Sequence, residues 1–331
     1  MPNVFNTSSV APERFWLQRF WPPSASVSVR RPSALAVAGG IVALGIAFSL
    51  ANLDLPIVRN ALLYAQIAEE MWKHGMRLWT VCGDPSLVFN KPCGLGALAA
   101  PLVQGFGLNA GLVLTSVFGG VLLVAATWRF LEYFNPRFGL GREALPLELA
   151  LCFWNPLLIY QFWSAYSDVF FSAGFLYSFV ILDRLLRERA NWRTALAYFG
   201  VFVFSSSMKH GTVMMLPLAA AYLLWHKREL WSLWRERRSQ IGLLGAALAG
   251  CALFLLLGRW GHNPLLNLVA NKNQLDGDLN YAMNVKLVVV FLLVTLGPWV
   301  LLLPRIEIGR ANAALFTVML LNIHLLTIYK G

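Results

Sequence analysis

A chain of 331 residues that is 58% hydrophobic and only 13% charged excludes intrinsic disorder. It also excludes an ordinary soluble domain, in which roughly a quarter of the residues are charged. The net charge of +11, from 27 Lys and Arg against 16 Asp and Glu, does not mark a nucleic-acid binder, because the basic residues fall in short clusters between long apolar runs. The composition predicts an all-α, polytopic membrane protein.

Residues 1–32 set Arg14 and Arg19 among Phe15, Trp16, Leu17, Phe20 and Trp21, which reads as an uncleaved cytoplasmic segment lying at the interface. Residues 33–331 are expected to form one transmembrane domain. A span needs about 20 largely uncharged residues, fewer when the flanks help. Such runs are 33–53, 111–127, 144–163, 169–182, 195–208, 211–225, 241–258, 287–304 and 311–329. A tenth stretch, 93–106, is shorter, rich in glycine and interrupted by Pro101. If it does not span and the N-terminus is cytoplasmic, 18 of the 27 basic residues fall inside; if it spans, later loops flip and 18 fall outside. The positive-inside rule therefore predicts nine spans and an outer loop over 54–109, with 93–106 at the outer interface or re-entering it. No soluble outer domain is expected after the ninth span.

Three outer segments are too polar to be mere turns. In the first, residues 60–74 carry Leu63, Ile67 and Met71 at helical spacing with Tyr64 and Ala68 beside them. This predicts an amphipathic helix on the outer interface, with Glu69 and Glu70 on its wet side or turned toward a cavity. Asp84-Pro85 and Phe89-Asn90-Lys91-Pro92 follow. Cys82 and Cys93 share this loop, whereas Cys152 and Cys251 fall in spans. An oxidising outer compartment permits a bridge around Asp84; two free thiols are the other reading. The second segment is 163–168. Asp168 there faces a wet cavity or a partner, or else Ser167 or Asp168 simply caps the next helix. The third comprises Ser205-Ser206-Ser207-Met208-Lys209-His210 and the loop 259–286, and Lys209 in it runs against the positive-inside trend. It either snorkels or, with His210 and the serines, binds phosphate. On the other side, Trp225, Trp231 and Trp234 among the basic residues of 226–240 read as a loop anchored at the headgroups. The five histidines show no ligand spacing, and no nucleophile elbow, Walker or dinucleotide motif occurs.

Asp54 just after the first span, Tyr64-Ala65-Gln66-Ile67-Ala68-Glu69-Glu70-Met71 and Phe89-Asn90-Lys91-Pro92 together resemble the GT-C superfamily of membrane glycosyltransferases. The pattern is nearest to protein O-mannosyltransferases and the lipid A aminoarabinose transferase. Trp154-Asn155-Pro156 and Tyr166-Ser167-Asp168 resemble further elements of that superfamily, and the likeness covers roughly residues 33–225. There are departures. Asn60-Ala61 stands where the family often has Asp-Glu, Asn90 replaces a carboxylate, and Cys93 replaces a second proline.

The resemblance implies a GT-C-like fold and an inverting transfer of sugar from a polyprenyl-phosphate donor to a glycan, lipid or protein acceptor. The site would face outward from a bacterial inner membrane, among membrane lipids, with no nucleic-acid partner and no cofactor beyond an optional divalent metal. An alcohol acceptor needs a base. The leaving phosphate needs cationic stabilisation, and the isoprenoid an apolar groove. Asp54 is the first candidate for the base, with Asp168 and Asp84 as further acids. Lys91, Lys209 and His210 suit the phosphate, and Tyr64, Glu69 and Asn90 complete the substrate-binding candidates. The apolar faces of 60–74 and 93–106 are expected to line the lipid groove. The alternatives are a non-catalytic relative acting as subunit or lipid-binding scaffold, and a small-molecule transporter. For the last, Glu148 and His324 are the main in-span ionisable residues, and no internal repeat is visible.

Overall fold

The computed structural model describes residues 33–53, 59–77, 81, 92–138, 140–154, 159, 162–163, 167–188, 191–209, 212 and 215–257. Every regular element among the described residues is helical. Among the described residues, four helices are long and apolar enough to cross a membrane: Ala34–Ala51, Leu108–Arg137, Asp168–Arg187 and Arg238–Leu256. The expected spans over 287–304 and 311–329, and the N-terminal segment 1–32, lie outside the described residues.

Helix α1 (Ala34–Ala51) is an uninterrupted apolar run without a charge. Helix α2 (Arg59–Lys73) follows the i, i+3, i+7 pattern of Tyr64, Ile67 and Met71, all buried. It closes where Gly75 takes a positive φ and the Met76 N–H reaches back 2.8 Å to the Met71 carbonyl. Helix α3 (Gly94–Phe106) has 13 residues. At 1.5 Å per residue that is about 20 Å, short of the roughly 30 Å of a hydrocarbon core. Gly107, at φ +81°, turns the chain back into α4 (Leu108–Phe134), where Gly111 lies against the backbone of Leu102 and Val103. Two short 3₁₀ turns, Asn135–Phe138 and Arg142–Ala144, lead to α5 (Leu145–Cys152).

One expectation fails at α5. The run 144–163 reads as a single span, but the helix stops at Cys152, and Phe153 and Trp154 are not helical. The reason lies in Pro156, whose ring would collide with the carbonyl four residues back, that of Cys152.

Helix α6 (Asp168–Arg187) is followed by α7 (Trp192–Met208), which Asn191 caps by accepting the Thr194 N–H at 3.1 Å. Then come α8 (Met215–Trp225), α9 (Lys227–Glu236) and α10 (Arg238–Leu257). Helix α6 is the spine, packed against both α4 and α7. Tyr133 near the end of α4 bonds Asp183 near the end of α6, so these two run parallel. Lys209, just past α7, pairs with Asp168 at the start of α6, so these two run antiparallel. Phe162 wedges between α1 and α4, where Gly45 and Gly120 leave no room for a Cβ. The Ser49 hydroxyl, on the last turn of α1, donates to the Phe162 carbonyl at 3.0 Å.

Gly119 of α4 abuts Val169 and Phe170. The first eleven residues of α4, about 16 Å of helix, therefore run past the Asp168 end of α6. There α2 and α3 pack on each other, with Gly96 of α3 against Ile67 and the Tyr64 carbonyl. Part of the apolar faces of 60–74 and 93–106 expected to line a lipid groove, including Ala61, Ile67, Met71, Leu95 and Ala99, is buried where the two helices pack, whereas Leu62, Trp72 and Phe106 stay exposed. A glycine-rich helix lets its neighbour approach closely, and burial then takes the surface that periodicity alone assigns to lipid.

Candidate functional site

At the start of α6, Ser167 and Asp168 meet residues from two other helices. The hydroxyls of Tyr64 and Ser167 are 3.0 Å apart, and both side chains are buried. Ser167 makes no side-chain cap on α6, because its hydroxyl is turned to Tyr64. The capping explanation for Ser167 is thereby set aside. Burial pushes the Tyr64 phenol up to about 12; the Ser167 bond opposes this and the Asp168 charge adds to it. The phenol is therefore neutral at ordinary pH, and the Asp168 carboxylate lies close enough to act on it.

Lys209 and Asp168 form an ion pair and hydrogen bond. Lys209 follows the last turn of α7 in extended conformation, its N–H held by the Ser205 carbonyl at 3.0 Å. Its own carbonyl accepts the Thr212 hydroxyl at 2.8 Å. Its ammonium stands 6.0 Å from the centre of the Phe171 ring. A carboxylate at a helix N-terminus and a cation at a helix C-terminus each complement the local dipole. The antiparallel contact of α6 and α7 thus brings both favourable ends together. The ammonium has three donors, and Asp168 uses one of them.

The start of α3 arrives beside this pair. Gly94, opening α3, lies so close to the Ser207 backbone that no Cβ would fit. Cys93 before it is disulfide-bonded, while Cys152 and Cys251 are free. Cys82, the expected partner, lies outside the described residues, as do Asp54, Asp84, Asn90, Lys91 and His210. The structure thus brings together Tyr64, Asp168 and Lys209 of the expected site. It does not bring Glu69, which is exposed and turned about 140° around α2 from Tyr64. Among the described residues no three His, Cys, Asp or Glu side chains gather as metal ligands.

A second polar centre, which sequence reasoning missed, occupies the other end of α6. Asp183 is fully buried. It accepts the Tyr133 hydroxyl at 2.8 Å, Arg187 Nε at 3.0 Å, and bonds from Arg137 and Tyr222. The Arg137 guanidinium lies over the Tyr133 and Phe134 rings at 4.9 and 5.0 Å. Arg187 also lies 3.0 Å from His226 Nδ1 and 3.4 Å from Glu229. Burial alone would raise the Glu229 carboxyl, but its own backbone N–H, the His226 ring and the Arg187 charge outweigh this and hold it below its usual range. Four helices, α4, α6, α8 and α9, are joined through this one carboxylate and its arginines. The available signal was a lone acid at the end of an apolar run with a cation four residues on. Glu148, one of the in-span ionisable residues, is also buried and held by Asn135.

The chain matches no protein-family model, no curated protein and no solved structure.

Proposed function

We propose that the chain is a membrane glycosyltransferase of the GT-C kind, moving a sugar from a polyprenyl-phosphate donor to an acceptor hydroxyl at the Asp168 end of the bundle. The observation that carries this reading is the meeting of Asp168, Lys209 and Tyr64, from three separate helices, where the charge pattern puts the outer face. In the reaction a carboxylate takes the acceptor proton, the freed oxygen attacks the anomeric carbon, and the sugar–phosphate C–O bond breaks. The lipid phosphate leaves with the electron pair, its charge met by Lys209. Asp168 is the base that the geometry supports, and Asp54 the base that the family resemblance supports. The other end of α6, rich in Arg and Lys, would face the cytoplasm.

The test is binding and transfer with the full chain in detergent or bilayer. Wild-type protein is expected to retain polyprenyl phosphate in preference to the uncharged polyprenol, measured by native mass spectrometry. Lys209→Met should weaken that preference by about 10–100-fold, the worth of one charged hydrogen bond. Asp168→Asn or Asp54→Asn should cut sugar transfer by about 10²–10⁴-fold while leaving binding intact. Equal retention of the phosphate and the alcohol would overturn the proposal. Phosphate binding without transfer by the wild type would point to the lipid-binding scaffold instead.

A further inference from the structure

Helix α9 has two unlike faces. Toward the bundle it turns Leu233, which is buried, Leu230, which packs on the core, and Glu229, tied to Arg187. At 100° per residue, Lys227, Arg228, Trp231, Trp234 and Arg235 fall within about 120° on the opposite side. Trp231 is 58% exposed and Trp234 51%, and the Arg235 guanidinium lies 5.5 Å from the centre of the Trp231 ring. This face holds no acid. Glu229 is turned inward, and Glu236 stands about 140° around the helix from Trp231. The exposed apolar surface continues through Leu224 and Trp225 at the adjoining end of α8.

Two bare indoles with three cations and no carboxylate suit neither water nor a protein core. Indoles settle at the headgroup level of a bilayer, where long cationic side chains reach phosphate. A zwitterionic headgroup satisfies the indoles but leaves the three charges uncompensated. An acidic headgroup satisfies both. We propose that the outward face of α9 is a docking site for acidic phospholipid headgroups at the Arg187 end of the bundle. Glu229 and Arg187 fasten the opposite face, so the site is held to α6 rather than tethered loosely.

The experiment reconstitutes the full chain in bilayer discs of phosphatidylcholine containing brominated phosphatidylglycerol or, at the same mole fraction, brominated phosphatidylcholine. The signal from Trp231 and Trp234 is the fluorescence difference between wild type and the Trp231→Leu/Trp234→Leu variant. Phosphatidylglycerol should quench it more strongly, with local enrichment of roughly fivefold per cation at low salt. The preference should vanish at about 1 M salt and in Lys227→Gln/Arg228→Gln/Arg235→Gln, and survive in Arg228→Lys/Arg235→Lys. Equal quenching by both lipids would overturn the proposal, since the face would then be interfacial without charge selectivity. Quenching by neither lipid would overturn it as well, because the face would be covered by protein. Should the tryptophan variant misfold, native mass spectrometry of the wild type decides: retention of phosphatidylcholine as readily as phosphatidylglycerol sinks the site.

Discussion

Asp183 and Asp168 sit near opposite ends of one helix and illustrate how burial changes what a carboxylate is worth. Asp168 is 41% exposed in its pair with Lys209, so water screens the attraction. Such a pair contributes about 0–1 kcal/mol, and Asp168→Asn should leave thermal stability nearly unchanged whatever it does to activity. Asp183 has no exposed side-chain surface, while Arg137 and Arg187 remain 25% and 30% exposed. Removing its charge strands two guanidiniums and two phenols around a neutral amide. Breaking a buried pair costs about 3–5 kcal/mol, and the partial exposure of both arginines puts Asp183→Asn near the low end, about 3 kcal/mol. The check is the Tm of the two variants in one detergent. A Tm for Asp183→Asn as high as that for Asp168→Asn would mean that the four-helix junction contributes nothing to stability.

The packing of elements near the site depends on missing side chains more than on present ones. Gly94 meets the Ser207 backbone, Gly96 meets Ile67, and Gly174 meets the Ser205 hydroxyl. Gly94→Ala must push α3 away from the end of α7, because a main-chain carbonyl cannot rotate aside as a flexible side chain can. Overpacking of this kind costs typically 1–3 kcal/mol. Gly39 has open space around it, so Gly39→Ala serves as the control and should be neutral or slightly stabilising. Thermal unfolding of the pair checks this, and equal Tm values would remove the close contact. Much at this scale was legible beforehand. The helices near 33–53, 111–127, 169–182, 195–208 and 241–258 follow from apolar length, and α2 follows from its periodicity. What was not legible depends on partners distant in sequence. The apolar face of α2 reads as lipid-facing until α3 is seen to cover it. Arg137, Arg184 and Arg187 read as loop charges until Tyr133, Tyr222 and Asp183 are brought to them by the fold. The pairing of Asp168 with Lys209 likewise crosses a helix hairpin that no local pattern announces.

At the scale of the molecule, α6 fixes where a membrane would lie. Its 20 residues give about 30 Å of helix, the thickness of a hydrocarbon core. The Asp168 and Arg187 ends would then emerge on opposite faces, carrying the two polar centres with them. Helix α2 belongs to the first end, since Tyr64 is bonded to Ser167, and Gln66 is exposed on it. Glu188 is exposed at the second end, beside Arg184 and Arg187 and on the same side as the basic face of α9. Positive charge favours the cytoplasm, so the Arg187 end should be inside. In intact cells a membrane-impermeant maleimide should modify Gln66→Cys, and it should reach Glu188→Cys only after the membrane is opened. The native thiols should interfere little, because Cys93 is disulfide-bonded, Cys251 is buried and Cys152 is partly covered. The unsubstituted chain provides the blank. The reverse pattern would turn the whole molecule over and put the Asp168–Lys209 site on the cytoplasmic side, where an outward-facing acceptor could not reach it. Labelling of both positions from one side would mean that α6 does not cross, and the membrane frame built on its length would fall with it.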